Sequence, residues 1–229
     1  MKLLKKVIIG IIILCLIVGI IVIGNGYAMY KNAIERIPLS VMVEEIKSKD
    51  NYTKIEELPK MYKDAVIAVE DHRFYKHNGV DVIAIGRAII NDIKVMSFVE
   101  GGSTITQQLS KNVYFTQEKK ITRKVAEVFM AIEIEKNYDK DEILEIYLNT
   151  SYFGDGHYTV KEASRGYFEK EPGEMTDYEA IMLAGIPNAP SVYAPTKNPD
   201  LAKQRQRQVM EKMIKYGYLT EKEAENILK

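Results

Sequence analysis

The sequence predicts a mainly α-helical protein, on three observations. Apolar residues recur at helical spacing in several segments, as they do at Tyr62, Ala65, Val66 and Val69. Residue pairs that can cap the start of a helix recur as well, and they are Asp139 with Glu142, Thr176 with Glu179, and Thr220 with Glu223. Strand-like alternation of apolar and polar residues is scarce, and the one candidate is a short strand at Leu39–Val43.

The predicted helices follow one another closely along the chain. The first helix after the N-terminal region starts near Pro59, which can occupy a first turn, and ends at Glu70. The next, Val82–Ile93, carries Arg87. A helix is predicted at Thr104–Val113, and the next is capped by Thr122 and buries Val125, Val128, Phe129 and Ile132. Further helices follow Asp139 and span Ala180–Ile186. The chain then ends in a helical hairpin whose first helix stops at Gly217. The stretch Lys94–Glu100 has no clear period, which indicates a mobile flap or a patch that contacts lipid.

The N-terminal region carries a predicted transmembrane anchor. Residues 7–24 contain no charge, and this run is close to the shortest that spans a bilayer core as a helix, roughly 17–20 residues. Three lysines precede it, so residues 1–6 are predicted to be a cytoplasmic tail and the rest of the chain to lie outside the cytoplasm. A cleaved signal peptide is the alternative, although its apolar region is usually about 7–15 residues long. Residues 25–54 are then a juxtamembrane connector and residues 55–229 form one domain.

Composition excludes some classes of protein. The 32 basic and 32 acidic side chains balance, so nothing indicates nucleic-acid binding, which needs a basic stripe. Cys15 is the only cysteine, which excludes an intramolecular disulfide, so stability has to come from the core. Beyond the anchor about 200 residues remain, enough for one domain with its own core.

Two segments are dense in polar groups that a core does not need. The first, Glu70–Gly79, places two acids at the end of an apolar helix, a natural position for a reactive carboxylate. The second, Gly101–Asn112, places hydroxyls, amides and a lysine after a Gly-Gly turn, a natural cradle for a charged, hydroxyl-rich ligand.

Together these segments resemble the signature of the peptidoglycan glycosyltransferases. The first is similar to the family's Glu-Asp-x-x-Phe-x-x-His-x-Gly motif, and the second to its Gly-Gly-Ser-Thr-Ile-Thr-Gln-Gln motif. Three further stretches agree in order, and they are Arg123–Glu127, Lys140–Asn149 with Tyr152–Gly154, and Ala184–Pro190 with Tyr193–Pro195. The resemblance covers roughly residue 58 to the C-terminus. It implies a two-lobed, lysozyme-like fold with a cleft between the lobes and a small lobe that dips into the membrane.

The resemblance also implies an activity. Enzymes of this family polymerise lipid II into β-1,4-linked glycan strands and release undecaprenyl diphosphate, with inversion at C1 of the donor MurNAc. Glu70 is expected to be the general base that deprotonates the C4 hydroxyl of the acceptor GlcNAc, and Glu127 is the second catalytic acid. The residues expected to bind substrate are Asp71, Arg87, Ser103, Thr104, Gln107, Gln108, Lys111, Lys119, Arg123 and Lys124.

Several of these roles have plainer alternatives. Glu127 lies four residues after Arg123 and away from the predicted apolar stripe. It either forms an ordinary i, i+4 ion pair or lies in the cleft and helps to organise the pyrophosphate. Thr104 and Gln107 either contact the ligand or only cap a helix, and Asp71 either orients neighbouring groups or caps a turn. The resemblance allows a divalent cation, Mg²⁺ or Mn²⁺, at the pyrophosphate without requiring one. The histidines do not have the spacing of metal ligands, and His77 is expected to be structural.

The favoured interpretation is a monofunctional, membrane-anchored peptidoglycan glycosyltransferase. The sequence contains no Ser-x-x-Lys and no Lys-Thr-Gly, so we expect no transpeptidase. Expected partners are lipid II, the growing strand and the membrane, and the resemblance leaves room for other cell-wall synthesis proteins. The rival interpretations are an anchored lysozyme-like hydrolase, which uses two similar acids, and a non-catalytic scaffold.

Overall fold

The computed structural model describes residues 2–95, 101–115 and 120–229, and this part of the chain is almost entirely helical. Within those ranges there is no β-strand, only an isolated bridge between Gly154 and His157. The predicted mainly α fold is therefore confirmed. The helices are α1 (Lys2–Arg36), α2 (Leu39–Lys47), α3 (Lys60–Glu70), α4 (Val82–Val95), α5 (Ile105–Tyr114), α6 (Ile121–Asn137), α7 (Lys140–Leu148), α8 (Val160–Phe168), α9 (Asp177–Gly185), α10 (Pro190–Tyr193), α11 (Pro199–Lys215) and α12 (Glu221–Ile227).

The N-terminal helix α1 is longer than the predicted anchor. Leu4–Arg36 is long and apolar enough to cross a membrane, and its most apolar part is exposed in the protein. Beyond Gly24 the helix continues without a break and packs on α6. Gly26 makes this contact close, because a Cβ there would lie only 2.5 Å from Val125 Cγ1. The rings of Tyr27 and Tyr30 pack on Phe129, with centroids 5.2 and 6.0 Å away.

The predicted strand at Leu39–Val43 is wrong, since the segment is helix α2. Its buried residues are Leu39, Val43 and Ile46, which recur at the spacing of a helix and not of a strand. Pro38, immediately before the helix, has the fixed φ that suits a helix start. The rest of the predicted connector is also tied into the fold, because the Asn149 side-chain amide hydrogen-bonds both the N–H and the C=O of Thr53, each at 2.8 Å.

The core has two groups of helices that meet at the end of α3 and the start of α5. In one group α3 packs on α9 and α11, and in the other α5 packs on α6 and α7. Large side chains fill the interior completely, among them Tyr62, Phe74 and Tyr147. The predicted capping boxes at Asp139, Thr176 and Thr220 are confirmed.

Helix α6 differs from its prediction in two respects. It begins at Ile121 with Lys120 as N-cap, so Thr122 lies inside the helix and caps nothing. Its face toward the core consists of Ala126, Met130 and Ile134, while the predicted core residue Ile132 is exposed. Val125 and Phe129 do find apolar partners, but on α1. In the predicted flap, α4 extends to Val95, and residues 96–100 lie outside the described residues.

Candidate functional site

Glu70 is the last residue of α3, and its side chain reaches a polar cavity. The helix buries its other face through Tyr62, Val66 and Val69, which directs Glu70 away from the core. Glu70 Oε2 accepts a hydrogen bond from Gln108 Nε2 at 2.7 Å. Its Oε1 is buried and has no hydrogen-bond partner among the residues that the structure describes. A carboxylate oxygen of this kind is ready to accept a proton.

Gln108 is held from behind by α7. Its Oε1 accepts a hydrogen bond from the Tyr147 hydroxyl at 3.2 Å, so its amide group turns toward Glu70. Burial raises the pKa of Tyr147 well above its ordinary value, which keeps this hydroxyl protonated and able to donate. These two successive hydrogen bonds, from Tyr147 to Gln108 and from Gln108 to Glu70, therefore orient the Glu70 carboxylate.

Asp71, the neighbour of Glu70, joins the two polar segments. Its Oδ2 lies 2.8 Å from His77 Nε2 and accepts a hydrogen bond from the Ile105 N–H at 3.1 Å. Both the Asp71 and the His77 side chains are almost fully buried. These contacts position α5 against the end of α3, so the structure favours the orienting role over direct substrate contact.

Thr104 and Gln107 form the capping box of α5. Thr104 Oγ1 accepts a hydrogen bond from the Gln107 N–H at 3.1 Å and donates one to the Gly79 carbonyl at 2.7 Å. Gln107 Oε1 accepts one from the Thr104 N–H. Both side chains are buried, so the capping alternative describes them better than ligand contact does.

Glu70 lines a cavity of about 330 Å³, called here the glutamate cavity. Three elements of the predicted site contribute to it, through Arg87, Ser103 and Gln108. In the part of the chain that the structure describes, the lining is Ala68, Val69, Glu70, His72, Arg87, Gly101, Ser103, Gln108, Asn188, Arg205, Lys212 and Tyr216. Its wall is polar and rich in cations, which suits an anionic, hydroxyl-bearing ligand.

His72 lies in the wall of the glutamate cavity and stacks on Tyr216, with ring centroids 3.9 Å apart. Arg87 Nη1 lies 3.3 Å from His72 Nε2. Burial, and then the Arg87 charge, lower the pKa of His72, so the ring is neutral at pH 7 and accepts a hydrogen bond from Arg87. His72 thus positions Arg87 and does not add charge.

Glu127 is buried, and it forms the ion pair with Arg123 that the spacing of four residues predicts. Only 1% of its surface is exposed, and its carboxylate pairs with Arg123 Nη1 at 2.8 Å and Lys124 Nζ at 2.9 Å. Lys124 also donates to Ser103 Oγ at 2.5 Å. The cluster of Glu127, Arg123, Lys124 and Ser103 thereby joins the start of α6 to the loop before α5.

Lys111 lies on α5 between the two acids. Burial lowers its pKa, Glu127 and Glu70 oppose that change, and Arg123 and Lys124 add to it. It lines a second cavity of about 470 Å³, called here the lysine cavity. The described residues that line it are Lys111, Asn112, Ser151, Tyr152, Tyr158, Pro187, Asn188 and Pro190. Asn188 borders both cavities, so the two form adjoining parts of one cleft.

A divalent cation does not fit the donor set around Glu127. The carboxylate is already compensated by Arg123 and Lys124, and a metal ion would have to displace them. Within residues 2–95, 101–115 and 120–229 there is no group of three His, Cys, Asp or Glu side chains that could hold a metal. We therefore assign no step to a metal.

Four polar or aromatic residues that follow α9 in the chain line the glutamate cavity and were not predicted to bind substrate. Arg205, Lys212 and Tyr216 come from α11 and its end, and Asn188 from the turn after α9. Arg205 and Lys212 are seven residues apart, which places them two turns apart on one face of a helix. This spacing is the sequence pattern from which the pair could have been predicted. Lys119, predicted to bind substrate, lies outside the described residues.

Comparisons with known proteins agree on one family. A family model described as Transglycosylase matches residues 39–214. Penicillin-binding protein 1F of Bacillus subtilis is 49% identical over 170 residues, which are 74% of this chain and 24% of the relative. Penicillin-binding protein 1A of Neisseria flavescens is 45% identical over 178 residues, 78% of this chain and 22% of the relative. Penicillin-binding protein 1A of Aquifex aeolicus is 42% identical over 174 residues, 76% of this chain and 24% of the relative. The chain thus spans about a quarter of the length of these relatives.

Proposed function

The chain belongs to the transglycosylase family, and from that premise we propose that it polymerises lipid II into β-1,4-linked glycan strands of peptidoglycan. The observation that carries this proposal is Glu70 Oε1, which is buried at the wall of a cation-rich cavity and has no hydrogen-bond partner among the described residues. A sugar hydroxyl is a weak nucleophile and needs a base, while a diphosphate leaving group needs cations. The cleft offers both.

The proposed reaction is one inverting displacement. The C4 hydroxyl of the acceptor GlcNAc attacks C1 of the donor MurNAc, and Glu70 Oε1 takes the hydroxyl proton. The bond from C1 to the diphosphate oxygen breaks with its electron pair, and undecaprenyl diphosphate leaves from the opposite face. Gln108 holds Glu70 in place during the transfer.

The cations divide between the two sides of the cleft. Arg87, Arg205 and Lys212 lie in the glutamate cavity, where an acceptor lipid would bring its own diphosphate. Lys111 lies in the lysine cavity, near the Arg123–Glu127–Lys124 cluster. We assign this second group to the leaving diphosphate, because preorganised charge beside a departing anion stabilises the transition state.

The proposed location follows from α1. The helix is long and apolar enough to cross a membrane, and lysines flank its N-terminal end. We propose a single span with a cytoplasmic N-terminus and an extracytoplasmic catalytic domain. Tethering to the membrane that holds the lipid substrate raises the effective substrate concentration.

The direct test is a gel assay of the full-length protein with labelled lipid II, run beside Glu70→Gln. We expect a ladder of glycan strands from the unmodified protein and a loss of about 10²–10⁴-fold in the variant, because a general base contributes that much. Glu56→Gln, an exposed glutamate outside both cavities, is the matched control and should keep full activity. Circular dichroism and thermal unfolding establish that all three proteins are folded.

Two results would contradict the proposal. A folded Glu70→Gln variant that still forms strands would show that Glu70 is not the base. Absence of strands together with release of fragments from preformed peptidoglycan would favour the hydrolase.

A further inference from the structure

A third cavity lies between α1 and the start of α6, apart from the catalytic cleft. Its volume is about 510 Å³, and we call it the α1 cavity. Among the described residues, the lining is Asn25, Ala28, Met29, Asn32, Ala33, Arg36, Tyr114, Phe115, Lys120 and Arg123. It shares no lining residue with the glutamate cavity or the lysine cavity. Arg123 also belongs to the cluster assigned to the leaving diphosphate, but the proposed reaction gives the other lining residues no role.

The lining combines cations, amides and apolar groups, and none of these ten residues is acidic. The cations are Arg36, Lys120 and Arg123, and the amides are Asn25 and Asn32. Among the described residues no acidic side chain forms an ion pair with Arg36, although it is exposed at the end of α1. This combination attracts an anion that carries apolar chains more than it attracts a free inorganic ion.

The position of the cavity along α1 agrees with such a ligand. Asn25 is the first polar side chain after the apolar run of residues 7–24, so the lower edge of the cavity lies where the hydrocarbon core would end. From Asn25 to Arg36 the helix rises roughly 16 Å at 1.5 Å per residue. The lower half of the cavity thus falls in the headgroup layer, and the long Arg36 side chain can extend down toward it.

We propose that the α1 cavity binds the headgroup phosphate of an anionic membrane phospholipid. The proposal rests on the membrane orientation given under the proposed function. Arg36 and Arg123 bind the phosphate from opposite walls, Asn32 hydrogen-bonds the headgroup, and Met29 and Phe115 contact the first carbons of the acyl chains. Because Arg123 also pairs with Glu127, the bound lipid contacts the same guanidinium that organises the proposed leaving-group cluster.

The test measures lipid selectivity of the full-length protein in bilayers. Spin-labelled phosphatidylglycerol and phosphatidylcholine are compared by the fraction of each that the protein immobilises. We expect phosphatidylglycerol to be preferred, and Arg36→Gln to lower that preference about fivefold, the effect of one basic residue near an anionic surface. Lys31→Gln is the matched control, because Lys31 lies on the same helix, is exposed, and does not line the cavity. It should change the preference much less.

A second variant tests the cavity without removing a charge. Ala28 is an exposed residue in the lining, and Ala28→Trp would fill the space and lower the preference while every cation remains. Equal effects of Arg36→Gln and Lys31→Gln, with no effect of Ala28→Trp, would overturn the proposal in favour of general surface attraction. Displacement of the labelled phospholipid by equimolar undecaprenyl diphosphate would overturn it in favour of a substrate site. Because the readout is lipid binding, Glu70→Gln should leave it unchanged even if the proposed activity fails.

Discussion

Asp71 and Glu70 are neighbours in the chain, but their carboxylates have different surroundings. Asp71 is almost fully buried and lies against His77 and the Ile105 N–H, whereas one oxygen of Glu70 lacks a partner among the described residues. A hydrogen-bonded buried carboxylate stabilises the fold, and an unpartnered one beside a cavity is available for chemistry. Adjacent acids of the same motif therefore have separate roles.

Replacing Asp71 with alanine should destabilise the protein by about 2–4 kcal/mol, because it leaves His77 and the Ile105 N–H buried without their acceptor. Thermal or denaturant unfolding measures the change. Asp64→Ala is the matched control on the same helix, since its ion pair with the exposed Lys60 should be worth less than about 1 kcal/mol. Equal losses in the two variants would contradict the role of Asp71 in joining α3 to α5.

Lys111 should set the alkaline limit of activity. Burial lowers its pKa, so it loses its charge at a lower pH than an exposed lysine does, and the diphosphate loses a cation. We expect kcat/KM to fall on the alkaline side with an apparent pKa below 10.5, the ordinary value for lysine. In Lys111→Arg, which stays charged, the residual activity should persist to higher pH. An unchanged alkaline limb in Lys111→Arg would assign the limb to another group.

At the residue level, the motifs predicted two acids and several cations that lie along the cavities or in the Glu127 cluster. The motifs did not distinguish the roles of neighbouring residues. Thr104 and Gln107 belong to the motif because they build the start of α5, a role that the motif alone does not distinguish from ligand contact. Arg205 and Lys212 escaped prediction because they lie more than 130 residues from Glu70 and reach the glutamate cavity only through the packing of α11 on α3.

Among the elements, helix α6 takes part in three different kinds of contact. One face packs in the core through Ala126 and Met130, another meets α1 through Val125 and Phe129, and its first turns hold Arg123 and Lys124. The apolar stripe that was predicted to face the core instead contains Val125 and Phe129, which meet α1. Apolar residues that contact a neighbouring helix have the same spacing as those that face the core. The Glu127 carboxylate can be buried because the positive charges of Arg123 and Lys124 compensate its negative charge.

The close contact of α1 with α6 depends on Gly26. Gly26→Val should destabilise the protein by about 1–3 kcal/mol, since the new side chain would meet Val125 and the Thr122 carbonyl. Gly24→Val is the matched control two residues earlier, where a Cβ would meet nothing within 4 Å. Thermal unfolding of the full-length protein in detergent compares the two. A Gly26→Val variant no less stable than Gly24→Val would show that the helices can separate without cost.

At the scale of the whole molecule, the fold class and the order of helices were predictable because caps and apolar periods are local signals. The extent of α1 was not predictable, since the predicted anchor followed the strongly apolar run, which ends at Gly24. Beyond that residue the helix is stabilised by packing on α6, which no local pattern in residues 25–36 reveals. The strand prediction at Leu39–Val43 failed for the same reason, since the helical spacing of α2 is clear only once its buried face is known.

Removing residues 2–24 while keeping the packed half of α1 should lower the rate on lipid II in a bilayer by at least about tenfold, because the effective concentration is lost. The rate on a water-soluble, short-chain lipid II analogue should stay within about twofold. Initial rates on the two substrates measure the ratio. Equal losses on both substrates would mean that the deleted segment supports the catalytic fold and not the encounter with substrate.

The continuity of α1 has a consequence for how the protein responds to its bilayer. A helix longer than the local hydrocarbon thickness adapts mainly by tilting. Because α1 passes into the domain without a flexible joint and is pinned to α6 at Gly26, a change in tilt turns α6 with it. The angle at which the cleft faces the membrane surface therefore changes as the membrane thins or thickens.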